Sequence, residues 1–130
     1  MREVAMQGSA WPIGQVRIHE IDGLFVIAFH GDIDIAAAVW ILPELDAATA
    51  PGGRTVVLDL TPVEFFDCYA LRLLCRAERR VTERGGRVLL ACPHPTVLKL
   101  LRVGGLLGRF VPLQTLDEAL AAAGCEEAAG

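Results

Sequence analysis

The sequence predicts an α/β fold, a small mixed β-sheet in which an antiparallel N-terminal hairpin precedes parallel βα units, covered by about four helices. Asp22-Gly23 stands between two short apolar runs, and this pair in that setting is a strong hairpin signal. From residue 55 onward, apolar runs alternate with helical patterns, which indicates right-handed crossovers and a largely parallel sheet. The 130 residues, of which 53% are apolar, are enough for one domain with its own core.

The first half of the chain supplies the hairpin and one helix. We predict strands over residues 16–20 and 24–31. An Ala-rich segment over residues 37–50 indicates a helix, but Pro43 inside it would remove a hydrogen bond at a cost of about 3 kcal/mol. The regular helix is therefore expected to begin near Pro43, after an irregular start over residues 36–42.

The second half alternates strands with helices. Residues 55–60 and 87–92 are apolar runs typical of buried parallel strands. The helix predicted over residues 68–84 has one apolar face, an arginine-rich opposite face and a Gly85-Gly86 stop. Three further elements follow: a short helix that starts at Pro95 and ends near residue 103, a short edge strand over 109–113, and a final helix behind a capping box at 115–118.

Composition excludes several functional classes. The net charge is −4, with 12 basic and 16 acidic residues, whereas a dedicated nucleic-acid binder is usually strongly basic. The longest apolar run, residues 35–43, is about half of the ~20 residues that a membrane-crossing helix needs, and residues 1–14 lack the pattern of a signal peptide. We assign residues 1–14 and 124–130 to tails and residues 15–123 to a single cytoplasmic domain. The excess of Arg over Lys favours a bacterial source.

Residues suited to catalysis or metal binding are sparse. Cys68 and Cys75 are predicted on one helix about 10 Å apart, too far for a disulfide, which tolerates about 7 Å. The three histidines show no metal-ligand spacing near the cysteines. A Gly-rich phosphate loop and an activated serine nucleophile are both missing. We expect a non-enzymatic protein with no metal or cofactor.

The most informative segment is residues 65–74, where an aromatic strand end meets Asp67 and a helix begins. The Asp67 carboxylate can accept hydrogen bonds from the free N–H groups of the first helical turn. Cys68 and Tyr69 then lie on that turn, where the helix dipole favours phosphate chemistry and partner contact. A Cys68 thiol in this position could be reactive, although the charge of Asp67 opposes its deprotonation.

Several motifs follow one another in a characteristic order. They are Gly31-Asp32-Ile33-Asp34-Ile35-Ala36, Val56-Val57-Leu58-Asp59-Leu60-Thr61, Phe66-Asp67-Cys68-Tyr69-Ala70-Leu71, Gly85-Gly86-Arg87-Val88, the paired glycines within 101–106, and Leu116-Asp117-Glu118-Ala119-Leu120. Together they resemble the STAS domain family, which includes the bacterial anti-sigma factor antagonists, over roughly residues 16–122. The resemblance implies a partner-switching protein that binds an anti-sigma factor, usually a serine kinase of the GHKL type, and so frees a sigma factor.

The resemblance also implies a phosphorylation site, and here the chain departs from the family. The family pattern is Asp, then Ser or a small residue, then the accepting Ser or Thr, then Gly or Ala. Asp67, Cys68 and Ala70 match it, and the acceptor position is Tyr69. A phenol oxygen lies ~6 Å from Cα, beyond the reach of a kinase site shaped for serine. We therefore expect partner binding without the usual phosphorylation, which would otherwise expel the partner through added negative charge.

Tyr69 is either a binding anchor, as tyrosines often are at interfaces, or an exposed aromatic left after regulation was lost. Asp34 corresponds to the acidic residue beside the acceptor in the family, but it could simply cap the next turn. Trp40 belongs to an all-apolar segment that is either core or a docking patch. Arg72 belongs to an arginine stripe that is either a solvated face or the charged rim of an interface. The predicted partner-binding residues are thus Asp34, Trp40, Asp67, Cys68, Tyr69 and Arg72.

An alternative function is that of an accessory STAS scaffold or signalling module, which would recognise a non-sigma protein or a small ligand. In either case we expect a monomer or a weak homodimer.

Overall fold

A computed structural model of the chain describes the backbone of residues 14–129 and the side chains of residues 14–124. Residues 1–13 of the predicted N-terminal tail lie outside this range. The elements are β1 (Gln15–Ile21), β2 (Leu24–Ile33), α1 (Ile35–Ala48), β3 (Thr55–Asp59), β4 (Val63–Phe66), α2 (Cys68–Glu83), β5 (Arg87–Ala91), α3 (Pro95–Val103), β6 (Pro112–Leu113) and α4 (Leu116–Ala129). Six strands and four helices within the described residues confirm the predicted α/β class.

The sheet has the strand order β1-β2-β3-β5-β6, and β4 pairs separately with the end of β2. β1 and β2 are antiparallel, whereas the other pairs are parallel, as predicted. Asp22 and Gly23 have φ angles of 51° and 81°, and Ile21 pairs with Leu24 across them. Positive φ at both central residues is the signature of a type I′ hairpin turn, so the hairpin prediction is confirmed.

Helices cover both faces of the sheet. On one face, Ile27, Phe29 and Leu58 pack with buried side chains of α1, α2 and α3 in the main core. On the other face, Val26 and Val57 pack against Ala119 of α4. Because neighbouring residues of a strand point to opposite faces, these apolar runs are buried on both sides, as parallel strands covered by helices require.

Helix α1 corrects the prediction that a regular helix begins near Pro43. It runs from Ile35 to Ala48 with Pro43 inside it. Its buried face is formed by Ala37, Ile41, Leu45 and Ala48. The burial of apolar side chains before and after Pro43 outweighs the free-energy cost of a proline in the helix interior, and Pro43 itself is exposed. Val39, whose carbonyl loses its helical donor, is also exposed, so water can bond that carbonyl.

Strand β4 was not predicted as a separate element, although its aromatic end before Asp67 was, and it positions the two helix starts. It pairs in parallel with the last residues of β2, past a register shift between Gly31 and Asp32 where Gly31 has a φ of 81°. The Asp67 N–H donates to the Ile33 carbonyl at 3.4 Å. Because β2 leads into α1 and β4 leads into α2, this pairing places the N-termini of α1 and α2 side by side.

The Thr115 half of the predicted C-terminal capping box is confirmed, whereas the Glu118 carboxylate reaches the N–H one residue before the cap. The Glu118 N–H donates to Thr115 Oγ1 at 3.0 Å, and the Gln114 N–H donates to Glu118 Oε1 at 3.0 Å. Helix α4 then continues to Ala129, through residues for which a tail is predicted, since its Ala-rich sequence favours helix. Across the described part of the chain, no helix combines the length and apolarity needed to span a bilayer.

Candidate functional site

Two aspartates cap the adjacent helices α1 and α2. Asp34 Oδ1 accepts a hydrogen bond from the Ala37 N–H at 2.9 Å. Asp67 Oδ1 accepts two, from the N–H groups of Tyr69 and Ala70, both at 3.0 Å. The predicted Asp67 cap is therefore confirmed, and the alternative interpretation of Asp34 as a capping residue also describes what it does here. Both helix dipoles are already matched by a carboxylate at their positive ends.

The capped first turn of α2 displays Tyr69 to solvent. Tyr69 is 44% exposed, whereas the next residue, Ala70, is fully buried against the core. The Arg72 guanidinium carbon lies 5.7 Å from the centroid of the Tyr69 ring, which is within cation–π range. Cys68 is exposed on the same turn. Asp67, Cys68, Tyr69 and Arg72 thus form one continuous surface, which we call the Tyr69 surface.

An apolar groove of about 820 Å³ lies between α1 and α2 and continues from the Tyr69 surface. From α1 it is lined by Ile35, Ala38, Val39 and Leu42. From α2 it is lined by Cys68, Tyr69, Leu71, Arg72, Leu73, Cys75, Arg76 and Arg79. Ile35 is 54% and Val39 is 66% exposed, although both are large apolar side chains. Large exposed apolar patches of this kind mark interaction sites on soluble proteins.

Trp40 is 75% exposed on α1 but does not line the groove. The segment therefore divides: Ile41 belongs to the core, whereas Val39 and Trp40 are exposed, and a docking role for Trp40 stays a prediction. Ile35 and the groove itself were not predicted. The available signal was that the start of α1 is apolar in every direction, whereas a helix on a sheet needs only one apolar stripe.

The arginine stripe of α2 divides into two pairs, and its members are Arg72, Arg76, Arg79 and Arg80. Arg76 donates to both carboxylate oxygens of Asp46 at 2.7 and 2.8 Å, and Arg80 donates to Thr49 Oγ1 and to the Asp46 carbonyl, both at 2.8 Å. These bonds fasten the end of α1 to α2. The hydrogen bond from Arg76 is the main reason that the pKa of Asp46 is lowered.

The second pair, Arg72 and Arg79, lies on the exposed side of the same groove. Neither forms an ion pair with an acidic group among the described residues. Glu78 is mostly buried and accepts hydrogen bonds from the Arg109 guanidinium. Two of the stripe's arginines are thus structural, and two remain available to a partner.

The described cysteines are all free thiols. Cys75 lines the groove, and burial raises its pKa, which disfavours the reactive thiolate. Burial raises the pKa of Cys92 in the same way. His94 Nε2 donates a hydrogen bond to the Leu60 carbonyl oxygen at 2.8 Å, a structural contact. Among the described residues, no three His, Cys, Asp or Glu side chains are grouped so as to hold a metal ion.

Comparison with known proteins agrees with this architecture. The sequence profile of the STAS domain matches residues 15–123. A candidate anti-sigma factor antagonist of Bordetella bronchiseptica, BtrV, is 28% identical over 109 residues, which cover 84% of this chain and 93% of BtrV.

Two solved structures are also similar. An anti-sigma factor antagonist (STAS) domain protein from Planctomyces limnophilus superposes with a TM-score of 0.73 at 25% identity, over 84% of this chain and 98% of that one. An anti-sigma factor antagonist from Mycobacterium paratuberculosis gives a TM-score of 0.69 at 28% identity, over 82% of this chain and 91% of that one. With a matching profile, matching folds and relatives of similar length, this chain belongs to the STAS domain family.

Proposed function

We propose that this chain is a non-enzymatic bacterial regulator that acts in the cytoplasm as an anti-sigma factor antagonist. It binds an anti-sigma factor of the serine-kinase type and so frees a sigma factor for transcription. The similarity to anti-sigma factor antagonists along most of the chain supports this class of function. One observation supports the mode of action: an exposed phenol, Tyr69, stands on the first turn of α2 at the position where the family places a serine or threonine.

The Tyr69 surface has the composition of a protein interface. Tyrosine is enriched among residues that contribute ~2 kcal/mol or more to binding, because its ring offers a large contact area at a low cost in side-chain entropy. The exposed apolar side chains of Ile35 and Val39 lie in the adjoining groove and extend this area. Arg72 supplies a charged edge. Such an arrangement of an apolar centre and a polar rim is typical of specific interfaces.

Tyr69 also determines how the interaction is regulated. Phosphorylation of a short hydroxyl at this turn would add about −1.5 to −2 charge against the partner. The Asp67 carboxylate, which already accepts two hydrogen bonds from the same turn, would add to that repulsion. With a phenol whose oxygen lies ~6 Å from Cα, a serine-kinase site cannot transfer phosphate there. We therefore propose that this antagonist stays bound whether or not its partner has ATP.

Binding in the presence and absence of ATP tests the proposal. A pull-down from the native host first identifies the partner, and we expect a kinase-like anti-sigma factor. Calorimetric titration of the purified pair should then give the same affinity before and after prolonged incubation with ATP and Mg²⁺. Recovery of a different partner without any anti-sigma factor would instead support the scaffold function. Loss of affinity after ATP treatment would contradict permanent association.

A further inference from the structure

The groove between α1 and α2 has two chemically different walls. The α1 wall is apolar, and its side chains Ile35 and Val39 are exposed. The α2 wall carries a row of arginines, and the α1 segment beside it contains no basic residue. An occupant must therefore be apolar on one side and acidic on the other.

Spacing along α2 makes this requirement more specific. Arg72 and Arg79 are seven residues apart, which corresponds to about two helical turns and roughly 10 Å. Arg76 lies between them, but its charge is already matched by Asp46, whose carboxylate accepts hydrogen bonds from Arg76 Nε and Nη2. The described part of the chain offers no acidic partner to Arg72 or Arg79. The α2 wall thus presents two available cations with a neutralised arginine between them.

We propose that the groove binds an amphipathic helix of the anti-sigma factor, whose apolar face packs on α1 while two acidic side chains, two turns apart, pair with Arg72 and Arg79. This inference rests on the proposed function for the identity of the partner. A trough between two helices is the shape that accepts a third helix by ridges-into-grooves packing, and acidic residues seven apart on such a helix match the arginine spacing. The concave floor favours a helix over a lipid bilayer, since a flat bilayer surface cannot enter a groove.

Two synthetic helical peptides provide the first test. Both carry a Leu stripe, and one has Glu at two positions seven residues apart, whereas the other has Lys at those positions. Nitrogen-15 NMR titration of the full chain should show the Glu peptide shifting amides of α1 and α2 around the groove, and the Lys peptide should bind about tenfold more weakly or not at all. Equal binding of both peptides, or no shift at the groove up to millimolar Glu peptide, would overturn the proposal.

A matched pair of double variants tests the two cations. R72E/R79E should weaken the Glu peptide about tenfold and improve the Lys peptide. R17E/R102E changes the net charge by the same amount at exposed arginines of β1 and α3, away from the groove, and should leave both affinities unchanged. If both double variants lose the same affinity for the Glu peptide, net charge alone explains the effect, and a specific site is contradicted.

The same variants separate this inference from the proposed function. If the anti-sigma factor binds R72E/R79E as tightly as the native chain, the helix proposal fails while the proposed function stands. If the Glu peptide binds as expected but no anti-sigma factor binds the native chain, the proposed function fails instead. Co-sedimentation of the native chain with phosphatidylglycerol vesicles, or a concentration-dependent dimer that buries the groove, would assign the groove to a membrane or to a second copy and overturn the proposal.

Discussion

Replacement of Asp67 by Ala removes the cap that shapes the Tyr69 surface. Asp67 Oδ1 accepts hydrogen bonds from two N–H groups at 3.0 Å, so the variant leaves two donors of the first turn of α2 without a protein partner. Loss of a helix N-cap costs about 0.5–2 kcal/mol, and the two bonds place Asp67 near the upper end of that range. The Tyr69 N–H is exposed and can bond water instead, which keeps the loss below about 2 kcal/mol.

Urea unfolding followed by circular dichroism measures this loss. With an m-value of about 1.5–2 kcal/mol/M, a loss of about 1.5–2 kcal/mol should lower the urea midpoint of Asp67→Ala by roughly 0.8–1.3 M. Asp67→Asn keeps an acceptor at the same position and should recover most of the loss, because Asn and Asp are similar N-caps. Glu64→Ala, at an exposed site on β4, is the control for removal of one negative charge. If Asn proves as destabilising as Ala, the effect comes from charge and the hydrogen-bond reasoning is wrong.

Three further predictions concern the elements around the groove. Pro43→Ala should raise the free energy of unfolding by about 1–3 kcal/mol, measured by urea titration, because an exposed proline inside α1 interrupts a helix that continues past it; a destabilised variant would contradict this account of α1. The pKa of Asp46 is lower in the folded state than in the unfolded state. Its carboxylate therefore stabilises the fold above the ordinary aspartate pKa, and this stabilisation is lost as the pH falls through the pKa of the folded state. Asp46→Asn should therefore cost about 0.5–1 kcal/mol near pH 7 and less near pH 3, and a constant cost would refute the ion pair with Arg76 as its cause. Burial raises the pKa of Cys75, so little of this thiol is in the reactive thiolate form at neutral pH. Cys75→Ala should therefore leave the fast phase of reaction with a thiol reagent unchanged. Loss of that phase in the variant would show that Cys75 is accessible and contradict this prediction.

Features that depend on neighbouring residues in the chain could be predicted from the sequence. Asp22-Gly23 needs only its own φ angles to form the hairpin turn, and Asp67 needs only the next turn of backbone to act as a cap. The arrangement of parallel strands also followed, because apolar runs that alternate with helices leave few other topologies. The STAS assignment rested on the order of such local motifs, which the profile match to residues 15–123 bears out.

Features that depend on tertiary packing could not be predicted in this way. The local effect of Pro43 predicts no regular helix before it, but α1 is helical on both sides of Pro43 because Ile41 and Leu45 are buried there. Strand β4 has only four residues and exists because it pairs with the bulged end of β2. The groove requires α1 and α2 to lie side by side, which is a consequence of that pairing. Its two walls are about thirty residues apart in the sequence, so the pattern of either segment alone does not indicate a groove. The roles of the candidate partner-binding residues in recognition remain predictions.

Mass spectrometry of the native chain and of Tyr69→Ser, after each has been incubated with the kinase-type anti-sigma factor and ATP, tests the central claim most directly. The variant presents a short hydroxyl on the turn capped by Asp67, in the residue order that the resemblance to the family implies for a phosphoacceptor. We predict that the variant gains one phosphate at residue 69 and that the native chain gains none within residues 65–72. Stoichiometric phosphate on the native chain in that segment would contradict the claim that Tyr69 removes the switch.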